Sequence, residues 1–241
     1  MKEVESLWLD VRRFSANADE LQDWSYTKQA PYITELKNRQ SYDFLLNAFG
    51  YLLGSGLRGD YHEYGCYSAR TFRIVLSEAK KWGFNDMHFW AFDSFSELPD
   101  PGSKPTLASW TAGAMAMSRE EFMALVDEQG VNVDKTHIVE GYYADTLTED
   151  QQQNLMANHK RIALLNVDCD LKESAELVLN FISPLIQDGT LIYLDDWFCG
   201  YGGNLDNGVA SAFWSFLERE RYKHDLFASV GYWGKAFVVW K

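Results

Sequence analysis

At 241 residues the chain is long enough for one domain with a substantial core, and 46% apolar with 24% charged residues is the composition of an ordinary folded protein. A formal charge of −13, with an isoelectric point near 4.8, sets the surface against phosphate backbones and disfavours nucleic acid as a partner. The opening Met1-Lys2-Glu3-Val4-Glu5-Ser6 is acidic without an apolar run of signal-peptide length, and no stretch approaches a membrane span, so a cytoplasmic location away from membranes is expected.

In chain order, the first forty residues are rich in Trp, Tyr and charge and read as an irregular or helical cap, broken at Pro31. Residues 38–53 then carry a helical pattern. Residues 1–54 are accordingly expected to form an N-terminal helical cap or lid, and residues 55–241 the main domain. Short apolar runs at 61–65, 87–93, 136–141, 162–168 and 190–195 have the length of strands. Between them, Phe72, Val75, Leu76 and Ala79 recur at helical spacing, as do Val178, Phe181, Ile182 and Leu185. Val209, Phe213, Phe216 and Leu217 mark a third amphipathic stripe. Strand and helix in alternation require crossover connections, hence a mostly parallel sheet with helices on both faces. A closing pair at 226–230 and 236–240 is joined only by Gly231-Tyr232-Trp233-Gly234, which permits an antiparallel hairpin and forbids a parallel crossover. The expected class is α/β with a seven-stranded sheet. Residues 98–117, with Pro99, Pro101, Gly102, Ser103 and Pro105 ahead of Trp110, form a long loop of the kind that serves as a lid.

Two strand ends carry acid. Leu164-Leu165-Asn166-Val167-Asp168-Cys169-Asp170 and Leu191-Ile192-Tyr193-Leu194-Asp195-Asp196-Trp197 each stop at carboxylates, and ligands of open α/β sheets bind at the carboxyl ends of the strands. Carboxylates gathered there push one another toward protonation unless a cation intervenes, and a hard divalent ion, Mg²⁺ first, resolves the conflict. Alone, Asp195-Asp196 reads as a cap at a helix start; joined to Asp168 on the neighbouring strand it reads as ligation. Asp170 reads as a solvated or capping carboxylate, and Lys172 as a helix-surface lysine.

The first strand runs into Gly65-Cys66-Tyr67-Ser68-Ala69-Arg70. Glycine there allows a tight turn and close approach of a ligand, and Ser68 is placed to cap the next helix. The second strand ends in Asp93-Ser94-Phe95, an acid where such folds grip a ribose diol. Neither a G-x-G-x-x-G fingerprint nor a phosphate-binding Gly-Lys-Ser/Thr loop is present, so an adenosine-type ligand stands only slightly ahead of structural capping.

Cys66, Cys169 and Cys199 are odd in number and lie at strand ends or loops, as reduced thiols do. His62, His88 and His137 fall in or at strands and read as packing or hydrogen-bonding residues, His159 and His224 as surface residues. No pair has zinc-site spacing, so zinc is disfavoured. Trp110, Trp197 and Trp233 are equally suited to filling the core and to stacking on a sugar or aromatic ring. No Gly-x-Ser-x-Gly is present.

Five stretches taken in order, Glu63-x-Gly65-Cys66-Tyr67, Asp93-Ser94-Phe95-x-Glu97-Leu98-Pro99, Gly141-Tyr142-Tyr143-Ala144-Asp145-Thr146-Leu147, Val167-Asp168-Cys169-Asp170-Leu171-x-Glu173-Ser174 and Asp195-Asp196-Trp197, together resemble the macrocin O-methyltransferase family. The resemblance implies a Rossmann-like class I methyltransferase fold. It further implies an S-adenosylmethionine-dependent, metal-assisted O-methyltransferase acting on a sugar or glycosylated natural product. On this chain it implies that Glu63, Gly65, Tyr67 and Ser68 line the methionine end of the cofactor, that Asp93 and Ser94 hold the ribose hydroxyls, and that Tyr142 and Tyr143 flank the adenine. It implies Asp168, Asp195 and Asp196 as ligands of Mg²⁺, with Asp168 as general base. Ala69 stands where the family usually has Gly, and Lys172 where it usually has Tyr.

Chelation of a metal favours two neighbouring hydroxyls over one, so the expected acceptor is a vicinal diol. The acceptor pocket is expected from the first forty residues and from 99–117 and 199–207, and the N-terminal segment could cover a neighbouring subunit's pocket in a homo-oligomer. A metal-dependent hydrolase or phosphotransfer enzyme with the same acidic cluster, and a non-catalytic cofactor-binding protein, are the alternatives.

Overall fold

The structure, a computed structural model, describes residues 26–96, 116–159, 161–199, 203–232 and 234–241, with the backbone alone for 26–31. Most of the expected lid loop, including Trp110, lies outside the described residues, as does Trp233. The chain divides between Arg39 and Gln40 into two units.

Helix α1 (Tyr26–Gly54) passes through Pro31, which was expected to break it. Pro31 sits in the second turn, where its missing N–H forfeits one main-chain hydrogen bond without ending the helix. Beyond Gln40, α1 buries Phe44, Leu45, Ala48, Phe49 and Leu52, a stripe at helical spacing.

The larger unit then alternates β1 (Asp60–Tyr64), α2 (Arg70–Lys81), β2 (Phe89–Asp93), α3 (Arg119–Gln129), β3 (Thr136–Glu140), α4 (Tyr143–Thr146), α5 (Glu149–Asn158), β4 (Ile162–Val167), α6 (Lys172–Ile182), β5 (Ile186–Leu194), α7 (Gly208–Glu220), β6 (Lys223–Val230) and β7 (Gly234–Trp240). One sheet has the order β3-β2-β1-β4-β5-β7-β6. Its first five strands are parallel, whereas β7 runs antiparallel to both β5 and β6. This is the seven-stranded sheet with a closing hairpin that the sequence predicts.

Alternation along the strands divides the core in two. Tyr61, Phe89, Ala91, Leu191 and Tyr193 face one layer with α2 and the second half of α1. Tyr64, Trp90, Phe92, Ile192 and Leu194 face the other, with α6 and α7. Both faces are covered, which is why β1 and β4 are buried at every position.

Helix α6 stops at Ile182 and β5 begins at Ile186, earlier than the apolar run suggests. Ser183 still has helical backbone (φ −48, ψ −48), and the chain then turns, with the Leu185 N–H donating to Ile182 O at 2.8 Å, so Leu185 leaves the helical stripe yet remains buried. All three cysteines are buried and free of disulfides. Among the described residues, no helix is long and apolar enough to cross a membrane.

Candidate active site: a carboxylate cluster at the strand ends

Strand β1 lies between β2 and β4, and the direction in which the chain adds strands reverses there. A crevice opens outside the carboxyl ends of the strands at such a point. Main-chain hydrogen bonds continue past the strand ends and fix what emerges from them. Gly65 N–H donates to Phe92 O at 3.0 Å, Asp168 N–H to Tyr64 O at 2.8 Å, and Asp195 N–H to Val167 O at 3.1 Å. Gly65 has φ +90, and a β-carbon on it would lie 1.7 Å from Asp168 O. Only glycine fits both the backbone angle and that approach.

Asp168, Asp195 and Asp196 come together, each offering an oxygen within 4.8 Å of the other two. Asp195 and Asp196 are buried and Asp168 is half-buried. The Tyr193 hydroxyl donates to Asp195 Oδ1, and the Asp170 N–H donates to Asp196 Oδ2 at 3.1 Å. Asp170 has a left-handed backbone (φ 58), which Asp tolerates better than most residues. Its amide thereby holds the Asp196 carboxylate. Three convergent carboxylates are an all-oxygen donor set, and that chemistry fits a hard divalent ion such as Mg²⁺. Lys172, at the start of α6, is engaged elsewhere: its Nζ lies 2.9 Å from Ser211 Oγ and 3.8 Å from Glu176 Oε1.

The neighbouring turns bring the other predicted residues alongside. Asp93 accepts the Cys66 N–H at Oδ2 (2.6 Å) and the Phe95 N–H at Oδ1 (3.0 Å), so the β1 and β2 turns are tied together through its carboxylate. Ser94 Oγ lies 3.4 Å from Asp93 Oδ1. Glu63 is buried beneath them and accepts from the Tyr61 hydroxyl. Burial pushes its carboxyl up to about 8, against the pull of the Tyr61 hydrogen bond; the charge of Asp93 adds to the rise and that of Arg70 opposes it. Tyr143 packs edge-on against Tyr64, with its hydroxyl 3.5 Å from Phe92 O. Tyr67 and Tyr142 are exposed above the strand ends.

Three expectations change. Ser68 does not cap α2: the N-cap is Ala69, buried, with φ 54 and no side-chain cap. A left-handed N-cap is a backbone that glycine adopts with less strain than alanine. Trp197 is core, packed against Phe213, Trp214 and Phe237 at 4.9–5.8 Å between ring centroids, and so is not a stacking platform. His159, expected at the surface, is half-buried and converges with His88 and His137 at the other end of the sheet. Sequence spacing hides this group; the signal is that His88 and His137 both lie at the starts of strands.

A seven-stranded sheet in this order, with acids at the ends of β2, β4 and β5, is the fold of class I O-methyltransferases. The chain belongs to the macrocin-O-methyltransferase (TylF) family, which it matches over residues 19–234. A curated relative from Streptomyces olivaceus, 8-demethyl-8-(2,3-dimethoxy-alpha-L-rhamnosyl)-tetracenomycin-C 4'-O-methyltransferase, is 24% identical over 152 residues. That match takes in 61% of this chain and 56% of the relative, so the chain spans little more than half of the relative's length. The O-methyltransferase NovP shares the fold with a TM-score of 0.69 at 18% identity, over 84% of this chain and 80% of that one. The calicheamicin methyltransferase CalS11 does so with a TM-score of 0.62 at 18% identity, over 98% and 92%.

Proposed function

We propose that the protein is an S-adenosylmethionine-dependent, Mg²⁺-assisted O-methyltransferase acting on a hydroxyl of a sugar or glycosylated natural product, with residues 55–241 as the transferase domain. The observation that carries this reading is the convergence of Asp168, Asp195 and Asp196 beside the Gly65 turn. Membership of the family supports the reaction class, and the rhamnosyl substrate in the curated relative's name supports a sugar acceptor.

Bound S-adenosylmethionine supplies an electrophilic methyl on sulfur. A magnesium-type ion supplies a Lewis acid that acidifies and orients the acceptor hydroxyl. The chain's own residues do the rest. Asp168, Asp195 and Asp196 hold the ion. Glu63, Gly65, Tyr67 and Ser68 receive the methionine end, Asp93 and Ser94 the ribose, and Tyr142 and Tyr143 the adenine. An anchored Asp93 retains lone pairs for a diol, because a carboxylate has about four acceptor sites. In-line transfer needs the acceptor oxygen within about 3 Å of the methyl carbon, a placement that strand-borne residues hold better than mobile loops. Asp168, the least buried of the trio, is the general base that takes the hydroxyl proton. The engagement of Lys172 with Ser211 and Glu176 supports Asp168 over Lys172 in that role.

The test is calorimetry with S-adenosylmethionine, followed by transfer assays over a panel of sugars, glycosides and catechols with and without chelator. Saturable cofactor binding with metal-dependent transfer to a vicinal diol is expected. No cofactor binding would end the proposal, as would transfer undiminished by exhaustive chelation.

A further inference from the structure

At the amino-terminal edge of the sheet, four of the chain's five histidines gather: His62, His88, His137 and His159. His88 immediately precedes β2, His137 is the second residue of β3, and His159 closes the C-terminus of α5. Parallel pairing of β2 with β3 sets Trp90 opposite His137, and the indole stacks on that imidazole at 4.2 Å and 17°. The same indole meets His159 edge-on at 4.7 Å, so it orients both rings. His88 Nδ1 lies 2.8 Å from His137 Nε2. One nitrogen from each of His88, His137 and His159 lies within 4.8 Å of the other two, and all three residues are half-buried, within reach of solvent ions.

We propose that His88, His137 and His159 bind one divalent transition-metal ion of the zinc type, which pins α5 to β2 and β3. The donor set selects the metal. Three imidazoles without a thiolate suit Zn²⁺, Co²⁺, Ni²⁺ or Cu²⁺, and are poor ligands for Mg²⁺ or Ca²⁺. Three protein ligands leave a tetrahedral ion one position for water. Zinc–nitrogen bonds of 2.0–2.1 Å place ligand nitrogens about 3.3 Å apart, so the His88–His137 contact must open by about half an ångström, which a side-chain rotation supplies. Charge is provided for as well. The buried Asp60 carboxylate acts electrostatically on His159 and accepts the His88 main-chain N–H at 3.1 Å, setting an acidic group beside the rings that receive a dication. Strand β2, from Phe89 to Asp93, spans about 17 Å between this edge and the opposite one, where the trio lies beyond β4 and β5. The two sites therefore differ in place and in metal preference, and the ion here stabilises the fold without touching the reaction.

The experiment uses tag-free, metal-stripped full-length protein titrated with Zn²⁺ and Co²⁺, read by calorimetry, by the optical spectrum of bound Co²⁺ and by melting temperature. One equivalent of Zn²⁺ is expected to bind, to raise the melting temperature and to resist millimolar Mg²⁺. Binding is expected to survive Asp168→Asn and Asp195→Asn, and to weaken at least about tenfold in His159→Gln and His137→Gln. His159 lies at a half-exposed helix end, so its variant keeps the test decisive if the strand variant fails to fold. No saturable Zn²⁺ binding to the wild-type chain would overturn the proposal. So would binding that His159→Gln leaves intact, or binding lost in the aspartate variants and kept in the histidine ones.

Discussion

The α-carbon of Gly65 sits so close to Asp168 that a β-carbon on it would be 1.7 Å from the Asp168 carbonyl oxygen. The turn proposed to receive the cofactor and the residue proposed to take the proton are thus in main-chain contact, and neither can shift without the other. Gly65→Ala meets that clash and an unfavourable φ of +90 together. A loss of about 3 kcal/mol or more is expected, with cofactor binding weakened in whatever folds. Chemical denaturation and calorimetry check this; a variant with wild-type stability would show that the strand ends are not in contact.

The opposite sign is expected four residues on. Ala69 holds φ 54, a conformation that costs a non-glycine residue about 1–2 kcal/mol. Ala69→Gly removes that strain and adds freedom to the unfolded chain, for a net gain of roughly 0.5–1 kcal/mol. Denaturation midpoints decide the matter, and a destabilised glycine variant would refute it.

Asp168→Asn keeps the shape of the side chain and removes its charge. Transfer is expected to fall by at least about a hundredfold, with cofactor affinity changed far less. Lys172→Met is expected to retain most activity, since its amine is occupied by Ser211 and Glu176. Steady-state kinetics on both variants, with cofactor affinity measured separately, tell base from bystander. Full activity in the asparagine variant would remove Asp168 from that role.

Glu63 makes the protein sensitive to pH. Its folded pKa of about 8 lies above the unfolded value, so between about 4.5 and 8 the folded state binds the extra proton. The contribution to stability is therefore full below the unfolded value and is lost as pH rises through 8. A cofactor ammonium favours the carboxylate, so binding near pH 7 should release a proton and tighten as pH approaches 8. Calorimetry in buffers of different ionisation heat measures that release, and Glu63→Gln should abolish it. An unchanged release in the glutamine variant would assign the proton to another group.

Much of this was legible in the sequence because strand ends announce themselves. Runs such as Leu164 to Val167 are buried on both faces and must stop where acids begin, so strand order brought the acids of two strand ends together, and the family resemblance singled out the trio from among them. The hairpin was forced by its short connection. Other features depend on packing that spacing does not encode. Pro31 stays helical because it lies near a helix start, and the capping role passed to Ala69 because the β1 turn settles in a left-handed conformation. Trp197 follows an acidic pair yet turns inward against Phe213 and Phe237. His88, His137 and His159 are far apart in sequence and meet only through the pairing of β2 with β3 and the return of α5.

Cys66, Cys169 and Cys199 each follow a strand end, at β1, β4 and β5, and all are buried. Burial, then nearby carboxylates, holds the Cys66 and Cys169 thiols well above their usual range. They resist alkylating reagents while the sheet edge stays shut and become reactive when it opens. The molecule thus carries built-in reporters of local breathing: the rate at which these sulfurs are tagged measures how often the crevice unzips, and any compound that seats there should slow the tagging.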